Sequence, residues 1–321
     1  IGNILIGYLK KGEKINFFKF IIQRGFKIWP SYFSYLFIGS IIANVLYHTL
    51  APDMIIPADK YLRYILFYVN YTGNEVWSFG HLWSLCVEEH FYFGLAFLLW
   101  LIFNKKIISF DENIASKKIT SFEKLIIIIL VSTFFLRVFS NIYFPESNVK
   151  NMTMTHLRID SLLFGVLISF WYNFRKDTLI KFYTKYQKLL LILALFLLSF
   201  TPFIEPLESF FVMTIGFSML YVAFGIILVH FLISQNINRQ LDSIFSKRIV
   251  DFVSKIGFCS YSIYVIHTFV NYCESFLGIE NKYLGFAIAF VGSVVLGFFM
   301  TYTMEDYFLK LRNKFFPNRV S

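Results

Sequence analysis

GHLWSLCVEEHFYF, residues 80–93, opens a hydrophobic run (83–103) with a histidine and two adjacent glutamates. An ionisable side chain inside a membrane span is expensive, so it normally faces a protein interior or a watery cavity. The setting of those carboxylates therefore decides what kind of molecule this is. The chain around them is 57% hydrophobic and 21% aromatic over 321 residues. Its apolar residues lie in runs, where a soluble domain would show amphipathic stripes. Runs of about 20 apolar residues match the hydrocarbon core of a bilayer. The fold class that follows is all-α, a polytopic transmembrane helix bundle.

Eight runs are long enough to cross: 29–50, 83–103, 125–144, 157–171, 189–204, 210–233, 258–277 and 283–304. The fourth and fifth are short or interrupted, and short polar loops are expected between the runs. Segment 1–9 reads as the end of a further, partial span. Because the chain opens on Ile1, we expect an N-terminal segment to precede it. Neither a signal peptide nor a repeat is visible, and a single membrane domain over 1–321, without a soluble domain, is expected. Cys86, Cys259 and Cys273 fall in apolar runs without metal-ligand spacing. They read as buried packing residues, and no metal is expected.

The net charge of +10 could suggest nucleic acid, but its distribution argues for topology. Connections 10–28, 104–124, 172–188, 234–257 and the tail from Lys310 carry 24 of the 30 lysines and arginines. The alternate connections hold only Lys60, Arg63, Lys150 and Lys282. By the positive-inside rule the five basic connections, and with them the C-terminus, face the cytoplasm. No nucleic-acid partner is expected.

That orientation puts His81 and Glu88 near the outer end of an inward-going helix, about 10 Å apart along its axis. His81, Ser84, Glu88 and Tyr92 share one face at i, i+3, i+7, i+11. The stretch THLRIDS, 155–161, brings His156, Arg158 and Asp160 to the same outer side. Arg137 sits inside a span, with Thr133 and Asn141 one turn to either side. Ser260, Tyr264, His267, Asn271 and Glu274 recur at steps of 4, 3, 4 and 3, a polar stripe about 21 Å long. One such residue reads as a hydrogen bond between helices; five in register read as the lining of a polar conduit. On the inner side, QRGFKIWP, 23–30, places Arg24 and Lys27 where basic side chains can meet lipid headgroups or ligand phosphates. Glu305 and Asp306 close the last span.

Three functions fit these groups. A transmembrane transferase would take a phosphate-bearing donor from the cytoplasm and serve an outer acceptor, with a histidine or carboxylate as general base. A proton-coupled secondary transporter would use a carboxylate in the membrane. A scaffold would use the polar groups only to hold helices together.

Several stretches resemble the acyltransferase-3 family of integral membrane acyltransferases. HLWSLCVEEHFY (81–92) is similar to its W-S-L-x-V-E-E-x-F-Y signature, and QRGFKIWPSY (23–32) to its R-x-x-R-I-x-P-x-Y segment. LRIDSLLFGVLIS (157–169) is similar to its R-x-D-x-L-x-x-G helix start, and IGFCSYSIYVIH (256–267) to its G-x-x-S-Y-x-x-Y-x-x-H helix. FMTYTMEDYFLKLRNK (299–314) resembles the closing segment, whose glutamate aligns with Glu305. The resemblance implies ten helices with both ends in the cytoplasm, of which eight full spans and a partial one stand here. It implies transfer of an acyl group, commonly acetyl from acetyl-CoA, to hydroxyls of surface or exported glycans, in a bacterial inner membrane. Membrane lipid and a glycan or glycolipid acceptor are the implied partners. Arg24 and Lys27 match the arginine pair linked to the CoA donor, although Lys27 lacks the bidentate fork of an arginine. His90 stands where glutamine is usual. The implied catalytic histidine of the first transmembrane helix, with its preceding arginine, has no match in 1–321. An inactive fragment is therefore a further alternative. His81, Glu88, Arg158 and Asp160 are the outer candidates, organising the bundle, the acceptor or both; His267 and Glu305 rank after them.

Overall fold

The computed structural model describes residues 2–11, 13–50, 58–73, 77–105, 120–234 and 236–316. Residues 106–119 of the basic connection 104–124 lie outside the described residues, as do Ile1 and the end of the tail. The described residues form helices and turns, with no strand among them. In chain order the α-helices are α1 (Gly2–Lys10), α2 (Phe17–Leu50), α3 (Ala58–Ile65), α4 (Trp83–Leu99), α5 (Ser121–Tyr143), α6 (Asn148–Thr153) and α7 (Ile159–Phe174). They continue as α8 (Lys176–Leu198), α9 (Phe217–Ile233), α10 (Ile237–Phe245), α11 (Lys247–Phe258), α12 (Ser260–Ser275), α13 (Lys282–Met300) and α14 (Asp306–Phe315). A 3-10 segment, Trp77–Leu82, leads into α4, and a π-helical turn, Thr301–Glu305, joins α13 to α14.

The all-α membrane class holds. Among the described residues, four stretches are long and apolar enough to cross a bilayer: Phe79–Asn104, Ser121–Tyr143, Val212–Ile233 and Lys282–Phe315. The pair α11 and α12, bent by 77° at their break, makes a fifth if counted as one span. Elsewhere the helices do not follow the hydropathy runs. The run 29–50 is the later part of α2, and 189–198 of the run 189–204 is the apolar end of α8, whose earlier part carries Lys176, Lys181, Lys185 and Lys188, while 199–204 form turns. A helix makes its own backbone hydrogen bonds, so it runs on where hydropathy changes. Connection 234–257 is likewise no loop. It forms α10 and α11, whose apolar side chains Ile244, Phe245, Phe252 and Val253 are exposed. Such amphipathic helices suit the plane of a membrane interface.

The chain divides into two compact units, each discontinuous in sequence. The first comprises Ile1–Phe17 and Cys86–Ile237. Here α7 is central, with α1, α5, α8 and α9 packed against it. Gly225 lets α9 approach α7, since a Cβ there would stand 2.4 Å from the Phe164 ring. Thr120 caps α5 in a capping box with Glu123, whose carboxylate also accepts from Trp171 and Arg175 at 2.9 Å each. At the other end of α5, Arg137 is fully buried and makes four hydrogen bonds. Its Nη1 donates to Asp160 at 2.7 Å and to the Leu157 carbonyl, Nε to the Thr214 carbonyl, and Nη2 to the Ser218 hydroxyl. A buried charge so satisfied ties α5, α7 and α9 into one arrangement.

The second unit comprises Phe18–Leu85 and Asn238–Ser321. Its centre is α12, packed on α13 and on the 3-10 segment Trp77–Leu82. Small residues of α13 permit the contact: a Cβ on Gly297 would stand 2.3 Å from the Ile263 side chain and 2.8 Å from its Cα. Close approach through small residues is the usual way membrane helices gain packing without a hydrophobic drive.

Candidate active site

The second unit gathers its polar side chains on α12 in two groups. The first is built around His81, at the end of the 3-10 segment, where the chain turns into α4. Nε2 of His81 lies 3.1 Å from the Val265 carbonyl, and Nδ1 lies 2.9 Å from the Thr268 hydroxyl. A carbonyl can only accept, so Nε2 carries the proton and Nδ1 accepts from Thr268. Thr268 in turn takes the Tyr35 hydroxyl at 3.1 Å. Both nitrogens of His81 are thus committed.

His267 differs. Its ring stands 4.9 Å from that of His81, centroid to centroid. Nδ1 lies 2.6 Å from the Tyr264 carbonyl, which makes it the donor. Nε2 is left, among the described residues, without a hydrogen-bond partner. Tyr264 closes the group, donating to the His81 carbonyl at 2.7 Å and standing 2.5 Å from the Ser84 hydroxyl. An imidazole with one nitrogen held and the other open is the geometry a general base requires.

The second group lies about four residues earlier on α12. Glu305 ends the π-helical turn and is 1% exposed at its side chain. Its Oε2 accepts from Lys27 at 2.9 Å and its Oε1 from Ser262 at 2.5 Å. The wider π turn carries Glu305 to this position, a use such turns often have at functional sites. Tyr261 reinforces the contact by donating to the Ile28 carbonyl at 2.7 Å. Lys27 is therefore engaged by a buried carboxylate. Arg24, one turn earlier on α2, is half-buried.

The sequence candidates fall into separate groups. His81 and His267 meet in the second unit, and Lys27 meets Glu305 there. Arg158 and Asp160 belong to the first unit with Arg137, where Asp160 pairs with Arg137 and Arg158 stacks on the Phe217 ring at 3.6 Å. Glu88 accepts from Tyr92 at 2.6 Å, and His90 meets the Thr155 hydroxyl at 2.7 Å. Of the polar stripe, Tyr264 and His267 join the histidine group, Glu274 faces Gly285, and Ser260 and Asn271 are exposed. The stripe is not continuous, because Ser260 at its start and Asn271 between His267 and Glu274 are exposed. Cys86 and Cys259 are buried as expected, but Cys273 is exposed, on the outward side of α12. Tyr35, Ser262 and Thr268 went unmarked in the sequence. Tyr261, Tyr264 and Thr268 do recur at i, i+3, i+7, and that spacing was the available signal. Among the described residues, no three His, Cys, Asp or Glu side chains form a metal-holding group.

The acyltransferase-3 family model, described as an acyltransferase domain, matches residues 4–303. No curated protein and no solved structure matches the chain. The match runs through both units and takes in both groups on α12 except Glu305. With apolar helices long enough to cross a bilayer, the chain belongs to the acyltransferase-3 family and is a membrane acyltransferase.

Proposed function

We propose that the protein transfers an acyl group, acetyl in the first instance, from cytoplasmic acyl-CoA to a hydroxyl of an extracytoplasmic or cell-surface carbohydrate. The observation that carries the acyl-transfer reading is the family match over residues 4–303. Within this chain His267 is the proton acceptor we assign, because its Nδ1 is held by the Tyr264 carbonyl while Nε2 stays open. Its open Nε2 takes the acceptor proton as the hydroxyl oxygen attacks the thioester carbonyl. The C–S bond then breaks, and the CoA sulfur leaves with that proton. His81 is a positioning residue, held at both nitrogens and set against the His267 ring. Arg24 meets the phosphates of the donor, while Lys27 holds Glu305 and acts on the donor through that pair. The alternation of basic connections supports a cytoplasmic donor side and C-terminus, and a bacterial inner membrane suits such a topology.

The test is to give labelled acetyl-CoA to membranes containing the protein and to look for label in the carbohydrate. Label on carbohydrate that disappears in Arg24→Ala and His267→Gln is expected. Movement of a solute without transfer of label would contradict the reading.

A further inference from the structure

We infer that the groove between α7 and α9 of the first unit holds an anionic phospholipid, its phosphate on Arg158 and one acyl chain along the groove. A cavity of about 400 Å³ opens there, lined among others by Arg158, Phe164, Gly165, Phe217, Phe224 and Leu228. That volume is within the range of small-ligand sites. Its α7 side runs from Arg158 to Ile168, about 15 Å along the helix. The polar groups, Arg158, Asp160, Ser161 and Tyr221, come from the end of the groove near the start of both helices. The remainder is aliphatic and aromatic, and Phe224 and Leu228 are exposed on its outer side.

The charge at that polar end does not balance. Two guanidiniums, Arg137 and Arg158, share one carboxylate, and Asp160 has given one oxygen to Arg137 and the other to the Ser161 amide. One face of the Arg158 guanidinium covers the Phe217 ring, and its buried Nη1 finds no hydrogen-bond partner among the described residues. An uncompensated arginine at membrane depth is costly, and a buried N–H lacking an acceptor adds to that cost. A phosphate supplies both the charge and a pair of acceptors matched to the guanidinium fork. The apolar walls favour a lipid phosphate over a free anion, because a soluble anion would leave them uncovered. Basic pockets between membrane helices hold lipid head groups for the same reasons.

The purified protein, exchanged into detergent and offered phosphatidylglycerol or phosphatidylcholine, would be examined for retained lipid by native mass spectrometry. Phosphatidylglycerol should be retained about fivefold better than phosphatidylcholine, the discrimination one arginine near a membrane surface supplies. Arg158→Gln should bring the two lipids to parity. Gly165→Leu keeps the arginine and adds its side chain to open space, since a Cβ at 165 meets no atom within 4 Å. That variant should fold, as read by helix content and melting, and lose retention of both lipids. Should Arg158→Gln fail to fold, Gly165→Leu alone decides. Equal retention of the two lipids by the unaltered protein would overturn the inference, as would full retention in folded Gly165→Leu. So would inorganic phosphate raising the melting temperature as far as the phospholipid does, which would make this a free-anion site.

Discussion

The two histidines of the second unit show how one residue type takes different roles through its hydrogen bonds. His81 spends both nitrogens, whereas His267 keeps one open. His267→Gln should therefore lower acyl transfer about 100-fold or more, the share of a general base. His81→Gln should lower kcat by about 10- to 100-fold through misplacement, leaving KM for acyl-CoA unchanged. Steady-state kinetics on reconstituted protein checks both. Lys27 and Glu305 make a second residue-scale case. Lys27→Ala strands a buried carboxylate and should cost about 2 kcal/mol or more. Adding Glu305→Gln should recover part of that loss, as a thermal-melting double-mutant cycle would read. Much of this site was legible in the sequence. His81, His267, Lys27 and Glu305 were all marked, but their pairing was not. Lys27 lies 278 residues from Glu305 and His81 lies 186 from His267, and periodicity within a helix carries no information on such contacts.

At the scale of elements, small residues and backbone irregularities set what the helices can do. Gly297 lies against the Ile263 backbone, so Gly297→Ala forces α12 and α13 apart. A loss of about 1–3 kcal/mol is expected, the usual cost of overpacking. Gly165→Ala enters open space and should be neutral or stabilising by about 0.5–1 kcal/mol, the helix preference of alanine over glycine. Melting temperatures of the two variants compare them directly. The π turn Thr301–Glu305 was not readable beforehand, because its one extra residue leaves no mark on hydropathy. The break at Cys259 was legible in part. The break falls at the start of the run 258–277, so hydropathy marked its place but not the 77° bend between α11 and α12. Helix identity, by contrast, followed from long apolar runs that hydrogen-bond internally in lipid.

For the whole molecule, charge asymmetry is the support for the proposed topology, in which the five basic connections share the donor side. Cysteines placed singly at Lys181 and Lys255 should react with a membrane-impermeant maleimide only after the cell is opened. One placed at Lys150 should react in intact cells. The reverse pattern would invert the proposed donor side. The family match, over both units, turns that topology into a statement about chemistry. The most direct measurement is therefore transfer of label from acetyl-CoA to carbohydrate in membranes carrying the protein or its His267→Gln variant. The account predicts labelled carbohydrate with the first and a signal about 100-fold lower or less with the second. Equal labelling by the two, or solute movement with no labelled carbohydrate, would contradict it.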